Sequence, residues 1–446
     1  MSRLWSIVRQ KPARVLARTG LRASAALPTS GTTSLDNSEG ASQAVAELLD
    51  SLDVALAKIS LEDDPRAQLT AQLEQLDQKA SSYVNSSLEF CSSKEPWKCS
   101  PEAVNLIMKA WLCAEAVYER DIADISKHLE GSGLNTEWFS ASSANGSLKA
   151  TTFTTFAPPP PHGSGAQPTT SLIIAIRGSA STVDQLVNLH GEPRDASILF
   201  QDINKLSKPG DQVLDFQTHA GFLNSARELL PEVSAQIEKL FVNGFRFNIV
   251  FTGHSAGGAV ATLLYLALRI KFTYFPFSCI TFGSPPVARL AAGKDPIAQN
   301  RAIGQSRVLN IINEYDLVSR LDKGYVRSLV QLFNSEAQDI NSEGSNTTKR
   351  NSGRSWPLPT PDFQHIGPIV VLKTELPDLQ LENKISSDVG TRVKAWDVTS
   401  DSLSNLVFCK LQVHRRRYYR EKIEQLVRDN SGGAVPVSQL SNTSIN

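Results

Sequence analysis

The sequence predicts an α/β fold with a mainly parallel central sheet flanked by helices. From residue 150 onward, short runs of β-branched and aromatic residues alternate with helical stretches, which is typical of parallel sheets. One run leads directly into a glycine-rich turn and then an apolar helix over 259–270. The predicted strands are Leu172–Ile176, Asn248–Thr252, Cys279–Phe282, Val308–Ile312 and Ile369–Leu372.

Composition is consistent with a folded globular protein and excludes some function classes. The 446 residues are 41% hydrophobic and 20% charged, with 45 basic and 45 acidic side chains. A net charge of zero argues against a nucleic-acid-binding protein, which usually has a strongly basic domain. It also argues against an acidic disordered chain. No apolar stretch reaches the roughly 18 residues that a membrane span needs.

The first 35 residues are unusually basic. They contain six Lys or Arg residues and no acid, whereas the other 411 residues have a net charge of −6. An Arg- and Ser-rich start without acids is typical of a mitochondrial transit peptide, and a disordered basic tail is the alternative. Five cysteines, an odd number, favour reduced thiols, although Cys91 and Cys99 could pair in an exported protein. We therefore expect an intracellular protein, mitochondrial if the leader is a targeting signal and cytoplasmic otherwise.

Patterning along the chain predicts four segments. They are a basic disordered leader over 1–40, a helical extension over 41–99, an α/β domain over 100–428 with a polar insertion over 334–362, and a disordered tail over 429–446. Apolar residues recur at helical spacing from Val45 to Ile59, and Pro65 begins a second helix. Ser100 and Pro101 provide a capping hydroxyl and an N-terminal proline for the helix that opens the main domain.

The most informative segment is Gly253-His254-Ser255-Ala256-Gly257, between a predicted strand and a predicted helix. A Gly-x-Ser-x-Gly turn in this context projects the serine Oγ above the sheet, where it can act as a nucleophile. The flanking glycines leave room for the sharp turn, and the helix N-terminus supplies N–H groups for a developing oxyanion. We therefore predict Ser255 as a catalytic nucleophile, the alternative being a glycine-rich structural turn.

A serine nucleophile needs a base and an acid that orients the base. In folds with this turn the acid follows the serine in the chain and the histidine comes last. The strand over 308–312 runs into Glu314 and Asp316; we expect Asp316 to be the acid, with Glu314 as the second choice.

The base must follow the acid, and only His365 and His414 do so. Local chemistry does not separate them cleanly. A loop after the last strand is the expected place for a catalytic histidine, which favours His414 as the base and a structural role for His365.

Taken together, these motifs resemble the class 3 fungal lipase-like α/β-hydrolases, specifically a branch similar to intracellular sn-1-specific diacylglycerol lipases. The resemblance covers roughly residues 100–425, and His365-Ile366-Gly367 looks like the family's strand opening after the aspartate. Five stretches carry it: Ile174–Ser179, Thr218–Phe222, Gly253–Gly257, Thr281–Pro285 and Asn313–Val318.

The resemblance implies an α/β-hydrolase fold, an oxyanion hole and a lid. The oxyanion amides would be those of Ser179 and Ala256, and the lid would lie within residues 183–215. His219 would be structural, and no metal or cofactor would be required. The implied function is a serine ester hydrolase that cleaves glycerolipid acyl esters, with diacylglycerol or triacylglycerol as the expected substrate.

A lipase-like binding or signalling protein without catalysis is the alternative function, although such proteins usually lose a triad member. A lipid substrate is the expected partner, with peripheral contact at a membrane or lipid-droplet surface. No nucleic-acid partner is expected, and the oligomeric state stays open. The basic cluster near His414 would suit anionic headgroups, or else form a solvated helix face. It comprises Lys410, Arg415, Arg416, Arg417, Arg420 and Lys422.

Overall fold

The computed structural model describes residues 65–91, 94–141, 149–156, 170–178, 192–200, 216–242, 247–290, 307–335, 353–375 and 392–430. The strands are β1 (Glu95–Pro96), β2 (Asn135–Ser140), β3 (Thr151–Phe156), β4 (Ser171–Ile176), β5 (Pro193–Asp195), β6 (Gln217–His219), β7 (Asn248–His254), β8 (Phe277–Phe282), β9 (Ala288–Arg289), β10 (Arg307–Asn313), β11 (Ile369–Glu375) and β12 (Arg392–Val398). The α-helices are α1 (Pro65–Ser81), α2 (Pro101–Ala116), α3 (Ile122–His128), α4 (Ala220–Val242), α5 (Ala256–Lys271), α6 (Lys323–Asn334), α7 (Ser400–Ser404) and α8 (Arg416–Asn430).

A nine-stranded mixed sheet organises the molecule. Its strand order is β1-β12-β11-β10-β8-β7-β4-β3-β2, and a smaller antiparallel sheet has the order β5-β6-β9. Strands β4, β7, β8, β10 and β11 are mutually parallel, and antiparallel strands extend the sheet at both edges. The five parallel strands are the five that the sequence predicts. The α/β-hydrolase fold is thereby confirmed, with helices on both faces of a central parallel sheet.

Helices cover both faces of the sheet because its central strands are apolar on both sides. Alternate residues of β4 contribute to opposite clusters: Leu172, Ile174 and Ile176 to one, Ile173 and Ala175 to the other. Residues of α4 and α5 belong to the first cluster, and residues of α2 and α8 to the second. The first fourteen residues of α5 are all buried, so the element that carries the serine turn at its start is held rigidly in the core.

The predicted boundary at residue 100 is not a boundary in the structure. Residues 64–446 form one compact unit. Strand β1 pairs with β12 at the edge of the main sheet, and Leu88 is completely buried against β10 and β11. Lys79 of α1 donates hydrogen bonds to the carbonyls of Phe333 and Ser335 at the end of α6. Residues 65–99 therefore belong to the α/β unit, because this segment contributes a strand to the edge of its sheet and buried residues to two of its hydrophobic clusters.

Other predicted segments lie partly or wholly outside the described residues. The leader, the helix over 45–59, residues 336–352 of the insertion and the tail from 431 are in this group. The end of the insertion is packed, since Trp356 donates a 2.8 Å hydrogen bond to Ser328 of α6. Within the proposed lid, Leu199 and Phe200 are buried in the main core, so these two side chains do not belong to an exposed flap.

Among the described residues, no helix is long and apolar enough to cross a membrane. All five cysteines are free thiols, Cys91 and Cys99 among them.

Candidate active site

Ser255 lies at the turn between β7 and α5, in a strained backbone conformation. Its φ of 61° and ψ of −135° are disfavoured for residues with a side chain. Its N–H donates a 2.9 Å hydrogen bond to the carbonyl of Phe282 in the neighbouring strand. A Cβ on Gly253 would come within 2.6 Å of the Gly257 carbonyl oxygen, and one on Gly257 within 2.8 Å of the Gly178 nitrogen. The two glycines are therefore required by close backbone approach.

His414 is the histidine that lies beside this serine. Its Nε2 is 3.0 Å from the Ser255 Oγ, and its Nδ1 lies 2.9 and 3.1 Å from the two carboxylate oxygens of Asp316. All three side chains are buried. An ionised carboxylate can only accept, so Nδ1 carries the proton and Nε2 is left to accept from the serine hydroxyl. This arrangement has the connectivity of a nucleophile, a base and an orienting acid.

Asp316 is held by several donors where β10 ends. The Val318 N–H donates to its Oδ1 at 2.9 Å, and the Tyr419 hydroxyl donates to its Oδ2 at 2.6 Å. The same tyrosine oxygen accepts a 3.0 Å bond from the Asn313 N–H. Burial and the charge of Asp316 raise the pKa of Tyr419 well above its usual value. The phenol therefore stays protonated and continues to donate.

The two alternative residues have other partners. Glu314 is buried and accepts a 3.0 Å bond from the Leu88 N–H, and burial raises its pKa. His365 donates from Nε2 to the Ser319 carbonyl at 2.9 Å, and burial lowers its pKa to about 4. Ser319 in turn donates to the Asp316 carbonyl at 2.7 Å. Neither alternative is hydrogen-bonded to His414 or Ser255; His365 supports the loop that carries Asp316.

His254, the second residue of the serine motif, packs against His414 and supports it. The two imidazoles stack with centroids 4.6 Å apart, and Nε2 of His254 donates to the His414 carbonyl at 2.9 Å. Burial lowers the pKa of His254 far below its usual value, and the nearby His414 and Arg416 add to this effect. A neutral, hydrogen-bonded ring in this place orients its neighbour and is not positioned to take the serine proton.

Of the two predicted oxyanion donors, only Ala256 lies among the described residues. Ala256 is the first residue of α5, where backbone N–H groups have no partner within the helix. Ser179 lies outside the described residues. Gly178, immediately before it, donates its N–H to the Tyr118 hydroxyl at 3.2 Å. A Cβ at Gly178 would come within 2.6 Å of the His254 carbonyl, so the strand end must approach the serine turn closely.

The sequence motifs do not predict roles for Tyr419, Tyr118 and Asn313. Asn313 is fully buried, and its side-chain amide donates to the Val413 carbonyl at 2.9 Å, just before His414. The position of Asn313 at a strand end next to the predicted acid was the one available signal. The two tyrosines have no motif, because their contacts join residues far apart in the chain. Within the described ranges, no group of His, Cys, Asp and Glu side chains could hold a metal ion.

Comparisons with known proteins find similarity over part of the chain. The sequence profile of the family described as Lipase (class 3) matches residues 173–325. The Fusarium solani protein "Secreted mono- and diacylglycerol lipase 1" is 30% identical over 116 residues, 26% of this chain and 30% of that protein. The Arabidopsis thaliana protein "Phospholipase A1 PLIP2, chloroplastic" is 29% identical over 154 residues, 33% of this chain and 19% of that protein. The chain thus spans less than a third of the length of these two relatives.

Among solved structures, the chain is similar to a Rhizomucor miehei lipase propeptide complex, with 18% identity and a TM-score of 0.43 over 72% of this chain and 81% of that one. The family match at 173–325 includes most of β4, the serine turn and the residues around Asp316. This match shows that residues 173–325 are similar to the Lipase (class 3) family.

Proposed function

We propose that this protein is a serine ester hydrolase that cleaves acyl esters of glycerolipids. Diacylglycerol and triacylglycerol are the substrates that the family resemblance indicates. One observation carries the proposal: the continuous hydrogen-bonded chain from the Ser255 Oγ through His414 to Asp316, with contacts of 3.0 and 2.9 Å. The matched relatives that are named as lipases support the same class of reaction.

In the proposed reaction, the Ser255 Oγ attacks the ester carbonyl carbon while Nε2 of His414 takes the hydroxyl proton. The Asp316 carboxylate stabilises the imidazolium that forms. The amides of Ser179 and Ala256 bind the oxyanion. Collapse of the tetrahedral species breaks the C–O bond, and His414 returns the proton to the leaving alcohol. Water then attacks the acyl-enzyme by the same route, which releases the fatty acid and restores the serine.

Labelling with a fluorophosphonate tests this proposal, since such a probe phosphonylates an activated serine. We expect the wild-type protein to be labelled and Ser255→Ala to be unlabelled, with Ser126→Ala as a matched control at an exposed serine of α3. Hydrolysis of a short-chain p-nitrophenyl ester should fall by about four orders of magnitude or more in Ser255→Ala and His414→Ala.

Two outcomes would contradict parts of the proposal. Wild-type labelling no higher than that of Ser255→Ala would favour the alternative, a non-catalytic binding or signalling protein. Full activity in His414→Ala together with its loss in His365→Ala would show that the base is misassigned. We also propose peripheral contact with a membrane or lipid-droplet surface, and an intracellular location that is mitochondrial if the basic leader is a targeting signal and cytoplasmic otherwise.

A further inference from the structure

The contacts of the basic cluster separate its six members into two groups. Three are already engaged: Lys410 pairs with Asp77 at 3.1 Å, Arg420 with Glu115 at 2.5 Å, and Lys422 donates to a strand carbonyl. The other three are the consecutive arginines 415–417 directly after His414. The cluster therefore is not a uniform solvated helix face, and these arginines need a separate explanation.

Arg416 lies against Tyr118, a ring that borders the candidate active site. The guanidinium carbon is 4.2 Å from the ring centroid. The Tyr118 hydroxyl accepts from the Gly178 N–H and lies 3.5 Å from Nδ1 of His254, which stacks on His414. The charge of Arg416 contributes to the lowered pKa of His254. Arg416 is thus close enough to influence the group that supports the base.

A second arginine shares the same aromatic ring. Arg177 follows the last residue of β4 and lies with its guanidinium carbon 5.4 Å from the Tyr118 centroid. It immediately precedes Gly178 and the predicted oxyanion residue Ser179. Two cations from distant parts of the chain therefore contact the same ring, Tyr118. One directly precedes the predicted oxyanion loop, and the other lies two residues after His414.

Within the described part of the chain, neither guanidinium forms an ion pair with a carboxylate, and both side chains are partly buried. Burying a cation away from water costs free energy when no anion lies beside it. Cation–π contacts recover only part of this cost. Two such cations at the edge of a substrate site provide a favourable position for a negatively charged ligand group.

We propose that Arg177 and Arg416 form a subsite for the phosphate of a glycerophospholipid substrate. This inference rests on the proposed function and narrows its glycerolipid substrates to those in which a phosphate is attached to the glycerol beside the acyl ester. A guanidinium matches phosphate oxygens with two parallel N–H donors, whereas a neutral acylglycerol offers no anionic group. The subsite would hold the headgroup while Ser255 attacks the acyl ester.

Water-soluble substrates separate this subsite from attraction to an anionic lipid surface. We would compare dibutyryl phosphatidate with dibutyrylglycerol, both as monomers, and measure kcat/KM for each. The expected result is a preference for the phosphatidate that falls about tenfold or more in Arg416→Gln and is partly recovered in Arg416→Lys. Arg417→Gln is the matched control, because Arg417 is exposed, stacks on Tyr418 and should leave the preference unchanged.

Binding to the proposed subsite can be measured even if the protein hydrolyses none of these esters. In the Ser255→Ala background, titration calorimetry with dibutyryl phosphatidate should give a Kd that rises about tenfold when Arg416→Gln is added. Equal kcat/KM for the two monomeric substrates, or a preference confined to anionic vesicles, would overturn the subsite. No hydrolysis of any ester by the wild type would overturn the proposed function, and the binding result would then decide the subsite alone.

Discussion

The backbone of Ser255 illustrates how single residues are held in this site. A residue in its conformation costs about 1–3 kcal/mol, which the surrounding structure must offset. The offset comes from the 2.9 Å bond between the Ser255 N–H and Phe282, and from a helix that is buried from its first residue. The serine hydroxyl is consequently fixed relative to His414, so little reorganisation is needed before the proposed attack.

The Tyr419 hydroxyl should be needed to position the Asp316 carboxylate. Tyr419→Phe removes the hydroxyl that donates to Asp316, leaving a buried carboxylate oxygen with one donor fewer. Loss of such a partner costs about 1–3 kcal/mol, so we expect kcat/KM to fall about tenfold with a smaller change in KM. Tyr418→Phe is the control on the adjacent, partly exposed tyrosine. Wild-type kcat in Tyr419→Phe would show that this hydroxyl does not position the acid.

Burial of His365 should make the free energy of unfolding depend on pH. Burial holds its pKa at about 4 in the folded protein, below its ordinary value of 6.5, so only the unfolded chain takes up the proton between these values. The free energy of unfolding should therefore fall as the pH drops from about 6.5 to 4, by about 3 kcal/mol from this group alone.

Urea unfolding at several pH values would measure this effect. His254 shifts in the same direction, so the wild type must be compared with His365→Gln, in which the His365 contribution is absent. Identical pH dependence in the two proteins would contradict the assignment of a neutral, buried His365.

At the scale of elements, short segments outside the sheet connect distant parts of the chain. Asn85 lies in a 3₁₀ turn after α1 and donates to the carbonyls of Trp356 and Asn405, at 3.0 and 2.9 Å. Its Oδ1 accepts from the Trp356 N–H at 2.9 Å. One buried amide thereby joins the N-terminal segment, the end of the insertion and the segment after α7.

The substitution Asn85→Asp tests this connection. The new carboxylate would face two carbonyl oxygens with no donor to offer, and a buried polar group left without a partner costs about 1–3 kcal/mol or more when charged. We expect a loss of roughly 3 kcal/mol in the free energy of unfolding. Asn135→Asp, at an exposed position of β2, is the control. Equal stabilities for the two variants would contradict this role.

At the scale of the whole molecule, residues 65–99 complete the edge of the α/β unit. Deleting residues 1–63 should leave the melting temperature within about 2 °C of the wild-type value, because residues 64–446 form a compact unit. Deleting residues 1–99 would remove β1, the buried Leu88 and the Asn85 connection. We expect that variant to lose about 10 °C or more, or to fail to fold.

Thermal unfolding followed by circular dichroism, with the ester assay in parallel, would compare the two deletions. Equal stability in the two truncated proteins would mean that residues 64–99 are an independent extension, as the sequence pattern first suggested.

Local patterning by itself determined the five parallel strands, the serine turn and the chain order of the candidate residues. These features depend on neighbours within about ten residues: apolar runs form buried strands, and glycines allow the sharp turn. The sequence pattern does not predict the antiparallel strands β2 and β12, because these partly exposed strands lack such continuous apolar runs.

Only the tertiary structure decided which candidates meet. Asp316 and Glu314 are two residues apart on one strand end, yet one bonds to His414 and the other to Leu88. His365 and His414 likewise both follow a plausible acid, and the packing of α8 brings His414 and Tyr419 to the site. These contacts join residues about 100 to 230 positions apart. Local periodicity does not encode such pairings, since they arise from how helices and strand ends pack around a common sheet.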